Sequence, residues 1–230
     1  MVRKKAPISD DRNRQAWDTL YHRTDTLVWG AEPVPVLTGF LERLTGQCDA
    51  GEYILDAGAG EGRNVPLLQQ HFQGRIACCD ASVAALTKLR NRFNDQTAAS
   101  ACALAQLPFG DGKFRFVLAW DVLTTLPDPE QALQEFFRIL RPGGTLLCNL
   151  SDRRDGAAGE HMTGCEENGY LYRNNYFFQF PGKDAAAKML AENGFLVIHT
   201  ASCSWQEQGH PNYRAGEHMH VSNVFVAVKG

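Results

Sequence analysis

The stretch Ile54-Leu55-Asp56-Ala57-Gly58-Ala59-Gly60-Glu61-Gly62-Arg63-Asn64 decides how the chain is read. Tyr53-Ile54-Leu55 is a short apolar run of the kind that forms a buried strand, and it ends in an acid. Three glycines at alternate positions then lead into a helix expected from about Gly62 to Phe72. Glycines at a strand-to-helix turn let a ligand approach the backbone, and the first amides of the helix are free to donate to it. In an open α/β sheet the ligand crevice lies beyond the carboxyl ends of the strands, where this turn falls. A dinucleotide turn uses G-x-G-x-x-G against a pyrophosphate, but the spacing here is G-x-G-x-G. Asp56 would repel a pyrophosphate and attract an ammonium group. The turn therefore favours a cationic cofactor that carries an amino acid.

Working outward, strands and helices alternate. Arg75–Cys79 is a second strand ending at Asp80, which lies 24 residues beyond Asp56. That interval suits a carboxylate that takes ribose hydroxyls. Ser82–Phe93 reads as a helix, Ser100–Leu104 and Phe114–Trp120 as strands. A further helix starts at Asp128-Pro129-Glu130 and stops at Arg141-Pro142-Gly143-Gly144, ahead of a fifth strand at Thr145–Leu150. A helix at Lys183–Asn193 and strands near Phe195–Ala201 and Val221–Val228 complete the pattern. Upstream, Ser9–His22 is an amphipathic helix capped by Ser9 or Asp10. The loop Trp29–Pro35 separates it from a helix at about Val36–Thr45 that ends near Gly46. Strands separated by helices of this length imply right-handed crossovers. The expected fold is α/β, a doubly wound, mostly parallel, seven-stranded Rossmann-like sheet forming one domain over 1–230. Its parts are a helical cap (1–50), a cofactor-binding core (51–150), an insertion forming a lid (151–182) and a C-terminal helix with two strands (183–230).

Composition agrees with a globular chain: 230 residues, 44% hydrophobic, 21% charged, net charge −3. Disordered and collagen-like chains are excluded, and nothing favours strong sequence-independent binding to nucleic acid. No apolar run is long enough for a membrane span. Met1–Pro7 is basic without an apolar run after it, so no secretory signal is expected. Cys48, Cys78, Cys79, Cys102, Cys148, Cys165 and Cys203 form an odd set with no C-x-x-C pair. Free thiols in a reducing cytoplasm fit them better than disulfides or zinc.

With these residues in view, the chain resembles the class I S-adenosylmethionine-dependent methyltransferases of the small-molecule type. The resemblance rests on Leu55–Gly62, Cys79-Asp80-Ala81-Ser82, Leu107-Pro108-Phe109 with Gly112–Val117, and Leu140–Gly144, and covers about Tyr53 to Leu150. Trp17, Tyr21, Trp29-Gly30 and Pro33 are more weakly similar to the tellurite- and thiopurine-methyltransferase-like members. The resemblance implies that Asp56, Ala57, Gly58 and Gly60 line the methionine part of the cofactor, with Asp56 near its amino group. Asp80 would take the ribose hydroxyls, and Ala81, Leu104 and Ala105 would flank the adenine. Trp120 would sit near the sulfonium and offer it a cation–π face. Two departures stand out. Many relatives carry an acid where this chain has Ala103, and Phe114-Arg115 replaces a usual Phe-Asp.

The substrate side is less legible. Trp120-Asp121-Val122-Leu123 replaces the Asn-Pro-Pro-Tyr type of sequence found in amino-methyltransferases, so methylation of nucleic-acid bases is not expected. Trp17, Tyr21, His22 and Trp29 in the cap, and His161, Tyr170, Tyr172, Tyr176, Phe177 and Phe178 in the insertion, are available to cover a small acceptor. His161, Asp121 and His218 are candidate bases, with His22 a further one, and nothing chooses between them. His218-Met219-His220 with His210 and Glu217 invites a metal reading, because alternate strand residues share a face. Histidines on a terminal strand are more often hydrogen-bonded or surface residues, so no metal is expected. Cys165 has no neighbour placed to lower its pKa. The expected activity is direct methyl transfer from S-adenosylmethionine to a small molecule. A non-catalytic cofactor-binding module and a nicotinamide-dependent oxidoreductase are the alternatives.

Overall fold

A computed structural model describes residues 9–44, 49–156, 158, 161–164, 169–173 and 175–230. The chain begins with α1 (Asp10–Arg23), whose N-cap Ser9 accepts from the Arg12 N–H, and α2 (Leu37–Leu44). Next come β1 (Tyr53–Ala57), α3 (Val65–His71), β2 (Arg75–Asp80) and α4 (Val83–Phe93), which Ser82 caps by accepting from the Ala85 N–H. β3 (Ala98–Ala101), β4 (Phe114–Ala119), α5 (Pro129–Ile139) and β5 (Leu140–Ser151) follow. β6 (Met162–Gly164), β7 (Tyr170–Tyr172) and β8 (Tyr176–Phe178) make a small antiparallel sheet. α6 (Lys183–Glu192), β9 (Phe195–Glu207) and β10 (His218–Lys229) close the fold.

The large sheet has seven strands in the order β3-β2-β1-β4-β5-β10-β9. β1 to β5 pair in parallel, and β10 is antiparallel to both β5 and β9. The chain runs outward from β1 to β3 and then returns to place β4 beside β1. That reversal opens a crevice at the carboxyl ends of β1 and β4.

Strand alternation divides the core. Ile54, Cys78 and Leu118 face α2, α3 and α4, whereas Leu55, Ala77 and Val117 face α5 and α6. Among the described residues, no helix is long and apolar enough to cross a membrane.

Several boundaries differ from expectation. β3 lies at Ala98–Ala101, not Ser100–Leu104, because Ala-Ala-Ser-Ala has no apolar alternation to mark it. Arg141–Gly144, expected as a stop, lies in the first part of β5, with Gly143 at φ 69°. β9 and β10 extend to Glu207 and back to His218, well past the apolar runs that revealed them. The insertion contains the three short strands. Cys48, Cys165 and the expected helix end at Thr45-Gly46 lie outside the described residues.

Candidate active site

The glycine turn is stitched to the neighbouring strand, since the N–H groups of Gly58 and Ala59 donate to the Cys79 carbonyl at 2.8 and 3.0 Å. Gly58 and Gly60 have φ of 74° and 53°. A Cβ on Gly58 would fall 2.5 Å from Val122 Cγ2, and one on Gly60 2.9 Å from the Tyr21 hydroxyl. Both positions therefore need glycine on conformational and steric grounds. Asp80, ending β2, reaches back to this turn: Oδ2 accepts from the Gly60 N–H at 2.9 Å and Oδ1 from the Ser82 N–H at 2.8 Å. Burial pushes its pKa up, while these N–H donors restrain the rise. Asp56 is only 3% exposed and its Oδ2 has no hydrogen-bond partner. Burial, reinforced by the Asp80 charge, raises the Asp56 pKa to about 7.

A cavity of about 310 Å³ opens above the turn. Gly58, Gly60, Asp80, Ala81, Leu104, Ala105 and Trp120 all line it, so the fold brings seven of the expected cofactor residues together. Asp56 and Ala57 do not line it. Ala57 points into the α5–α6 side of the core, and Asp56 is buried within β1, just before the turn. Ala103 is in the wall, and the segment 103–105 contributes no carboxylate. The residues present suit S-adenosylmethionine. The orphaned Asp56 oxygen is an acceptor close to the turn, the buried Trp120 Nε1 is likewise unpartnered, and Asp80 is a carboxylate in the wall.

The same cavity extends to a second group of polar residues. Asp121, two residues beyond β4 and with φ 55°, donates its N–H to Asn149 Oδ1 and accepts from Asn149 Nδ2, both at 2.6 Å. Burial raises its pKa, against the opposing pull of His220. Facing it are Glu207 from β9, His218 and His220 from β10, and His210 and Tyr213 from the connecting turn. His220 Nδ1 lies 3.0 Å from Asp155 Oδ2 and its Nε2 3.2 Å from Glu207 Oε2. Burial would lower the His220 pKa, but Asp155 and Glu207 outweigh it and raise the value to about 10. Burial alone would raise Glu207, yet His220 and Arg63 bring it to about 2. Of the three candidate bases, Asp121 and His218 line the cavity. His161 is exposed and sits edge-on to Tyr172 at 6.0 Å, and His22 is exposed on α1. Glu217 is exposed as well; the acid beside the histidines is Glu207.

The cap forms one wall. Trp17 packs against Trp29, Tyr176, Phe178 and Tyr213, with ring centroids 4.7 to 6.2 Å away. Asp18 Oδ1 accepts from the Ser82 hydroxyl at 2.7 Å and the Ala84 N–H at 3.1 Å, tying α1 to the start of α4. Glu61, 1% exposed, accepts from the Val28 N–H at 2.7 Å and pairs with Lys88 at 2.9 Å. Sequence reading passed over Asp18, Glu61 and Glu207. Glu207 had a usable signal: Trp205 and Glu207 alternate as His218 and His220 do, and their strands are adjacent.

A methyltransferase-domain family model matches residues 55–148. A probable S-adenosylmethionine-dependent methyltransferase of Mycolicibacterium smegmatis is 33% identical over 112 residues, 49% of this chain and 42% of that protein. A ubiquinone/menaquinone biosynthesis C-methyltransferase of Desulfotalea psychrophila is 24% identical over 70% of this chain and 72% of its own. The chain spans about half the length of several curated relatives that it matches. In fold, it is similar to the Burkholderia thailandensis 1,6-didemethyltoxoflavin-N1-methyltransferase, solved with bound 1,6-didemethyltoxoflavin and S-adenosylhomocysteine. The TM-score is 0.66 at 20% identity, over 98% of this chain and 92% of that one. With the glycine turn, Asp80 and the strand order in place, residues 55–148 of this chain match a methyltransferase domain, and the sheet around them has the fold of methyltransferases of known structure.

Proposed function

We propose that the chain transfers a methyl group from S-adenosylmethionine to a small-molecule acceptor by direct displacement. One observation carries this: a single cavity holds the glycine turn and Asp80 together with Asp121, His218 and His220. Bound there, S-adenosylmethionine supplies a methyl group already activated on a sulfonium. In this reading Asp80 takes the ribose hydroxyls, and Ala81, Leu104 and Ala105 enclose the adenine. Gly58 and Gly60 let the cofactor reach the backbone, and Asp56 is the buried acid that balances its ammonium group. The ring of Trp120 faces the positive charge.

The remaining work is alignment and exclusion of water. Trp17, Phe178 and Tyr213 form an aromatic roof suited to a partly apolar acceptor, and an acceptor that must lose a proton has Asp121 and His218 within the same chamber. The cap (1–50), core (51–150), lid (151–182) and C-terminal segment (183–230) then act as one domain. A cavity of this size suits a small molecule better than nucleic acid, and the five free cysteines among the described residues fit a cytoplasmic setting.

Calorimetric titration with S-adenosylmethionine tests the reading, run beside Asp80→Ala and a matched NAD titration. Micromolar binding that falls at least tenfold in the variant, with no response to NAD, is the expected result. An absence of binding to the wild-type chain would refute it.

A further inference from the structure

We propose that His210, His218 and His220 bind one divalent transition-metal ion of the zinc type at the acceptor end of the cavity, with a coordination position left open to that cavity. Its link to methyl transfer rests on the function proposed above; the ion site itself does not.

Placement comes first. His218 and His220 alternate on β10 and so share a face, while the turn after β9 folds back to add His210. Gly209 permits that fold, because a Cβ there would lie 2.3 Å from the Ala215 carbonyl oxygen. Ligand nitrogens of the three rings lie within 4.8 Å of one another. All three rings line the cavity, and His210 and His218 are buried.

Ring orientation adds the second line of argument. His218 Nδ1 lies 3.0 Å from the Gly216 carbonyl oxygen, which can only accept, so that nitrogen carries the proton. His220 Nδ1 lies 3.0 Å from an Asp155 carboxylate oxygen that also accepts from the Val221 N–H at 2.8 Å. A carbonyl or carboxylate behind a ring is the arrangement that orients metal-binding histidines. The two Nε2 atoms then face each other at 3.0 Å. Both Nε2 atoms thus converge on one point beside the cavity, where an ion would take the place of the proton that His220 otherwise holds between them. Neighbouring ligands on an ion with bonds of about 2.0–2.1 Å stand roughly 3 Å apart.

The surroundings favour a cation. Asp121, Asp155 and Glu207 face the cluster, against Arg63, which pairs with Glu207, and Arg214, which donates to the Gly156 carbonyl. Glu207 Oε2 is 3.2 Å from His220 Nε2 and Oε1 is 3.9 Å from His210 Nε2, a carboxylate placed to balance the ion's charge while the fourth position faces the cavity. Imidazole nitrogens with a carboxylate select zinc-type ions over magnesium or calcium. An ion open to the acceptor chamber restricts the acceptor to molecules with a coordinating atom that can become an anion, such as a thiol or a phenol.

The test uses the full chain stripped with a chelator and dialysed. Zinc chloride is titrated calorimetrically, and cobalt chloride is followed by absorption. Expected are one ion per chain and cobalt bands of a nitrogen-rich site. His218→Ala and His220→Ala should each weaken zinc binding at least a hundredfold, and Asp155→Asn by tenfold to a hundredfold. His199→Ala, on the outer strand, should bind as the wild type does. Circular dichroism checks that each variant folds; if a β10 variant does not, His210→Gln on the turn carries the test. No saturable binding, or binding undiminished in the histidine variants, would overturn the site. S-adenosylmethionine titrated into the stripped chain reports separately, so loss of the metal proposal and loss of the methyltransferase reading are distinguishable.

Discussion

Asp56 shows how one residue can carry a cost that a ligand removes. A carboxyl whose folded pKa of about 7 exceeds the ordinary 3.8 binds its proton more tightly in the native state. Its contribution to stability is complete below about pH 4 and is lost as the pH rises through 7. Asp56→Asn has no such dependence. Its stability advantage over the wild type should therefore grow by about 2 kcal/mol between pH 5.5 and 8, read from urea unfolding at each pH. An advantage that is flat with pH would mean the carboxyl is not protonated in the native state. Glu61 is the opposite case, a buried acid with every need met by Lys88 and the Val28 N–H. Glu61→Ala strands that lysine and that amide and should cost roughly 3 kcal/mol. Gly58→Ala forces a side chain into positive φ and onto Val122, which should cost about 2 kcal/mol or more and abolish cofactor binding in the same calorimetric assay.

At the scale of elements, legibility followed the strength of local patterning. β1, β2, β4 and α3 to α6 were readable because each is an apolar run or an amphipathic helix bounded by a cap, a proline or a glycine. Asp80, Gly58, Gly60 and Trp120 lie together at the cavity because they end or closely follow β1, β2 and β4. The β6–β8 sheet was not readable, since strands of three residues are too short to show alternation. The polar ends of β9 and β10 were equally silent. Their hydrogen bonding comes from the pairing of the two strands with each other, as in Glu207 with His218, and not from any apolar alternation of their own. Asn13 ties α1 to β8 and to the segment before α5: Nδ2 donates to the Thr125 carbonyl at 2.8 Å, and Oδ1 accepts from the Phe177 N–H at 3.1 Å. Asn13→Ala should destabilise the chain by about 1–3 kcal/mol. It should also speed amide exchange across 175–180 well before exchange in β1 or β4 changes. Uniform acceleration across the chain would show that the small sheet has no separate attachment to α1.

For the whole molecule the expected consequence is that α1, the glycine turn and the β9–β10 connection answer to one ligand. The Tyr21 hydroxyl lies against Gly60 and accepts from Trp29 Nε1 at 2.7 Å, while Asp18 holds the first residues of α4, next to Asp80. The cap thus rests on the two motifs assigned to the cofactor. A ligand that binds only the native, closed arrangement stabilises every segment that must be closed for binding. Saturating S-adenosylmethionine should therefore slow amide exchange in residues 10–23 and 205–220 as well as in 56–64, measured by mass spectrometry. Asp18→Ala, which lies outside the adenosine contacts, should weaken cofactor binding roughly tenfold by letting α1 lift from α4, a cost of about 1.4 kcal/mol. Protection confined to 56–64 and 80–84, with Asp18→Ala binding as the wild type does, would instead mean that the core binds its cofactor alone and the cap closes only over the acceptor.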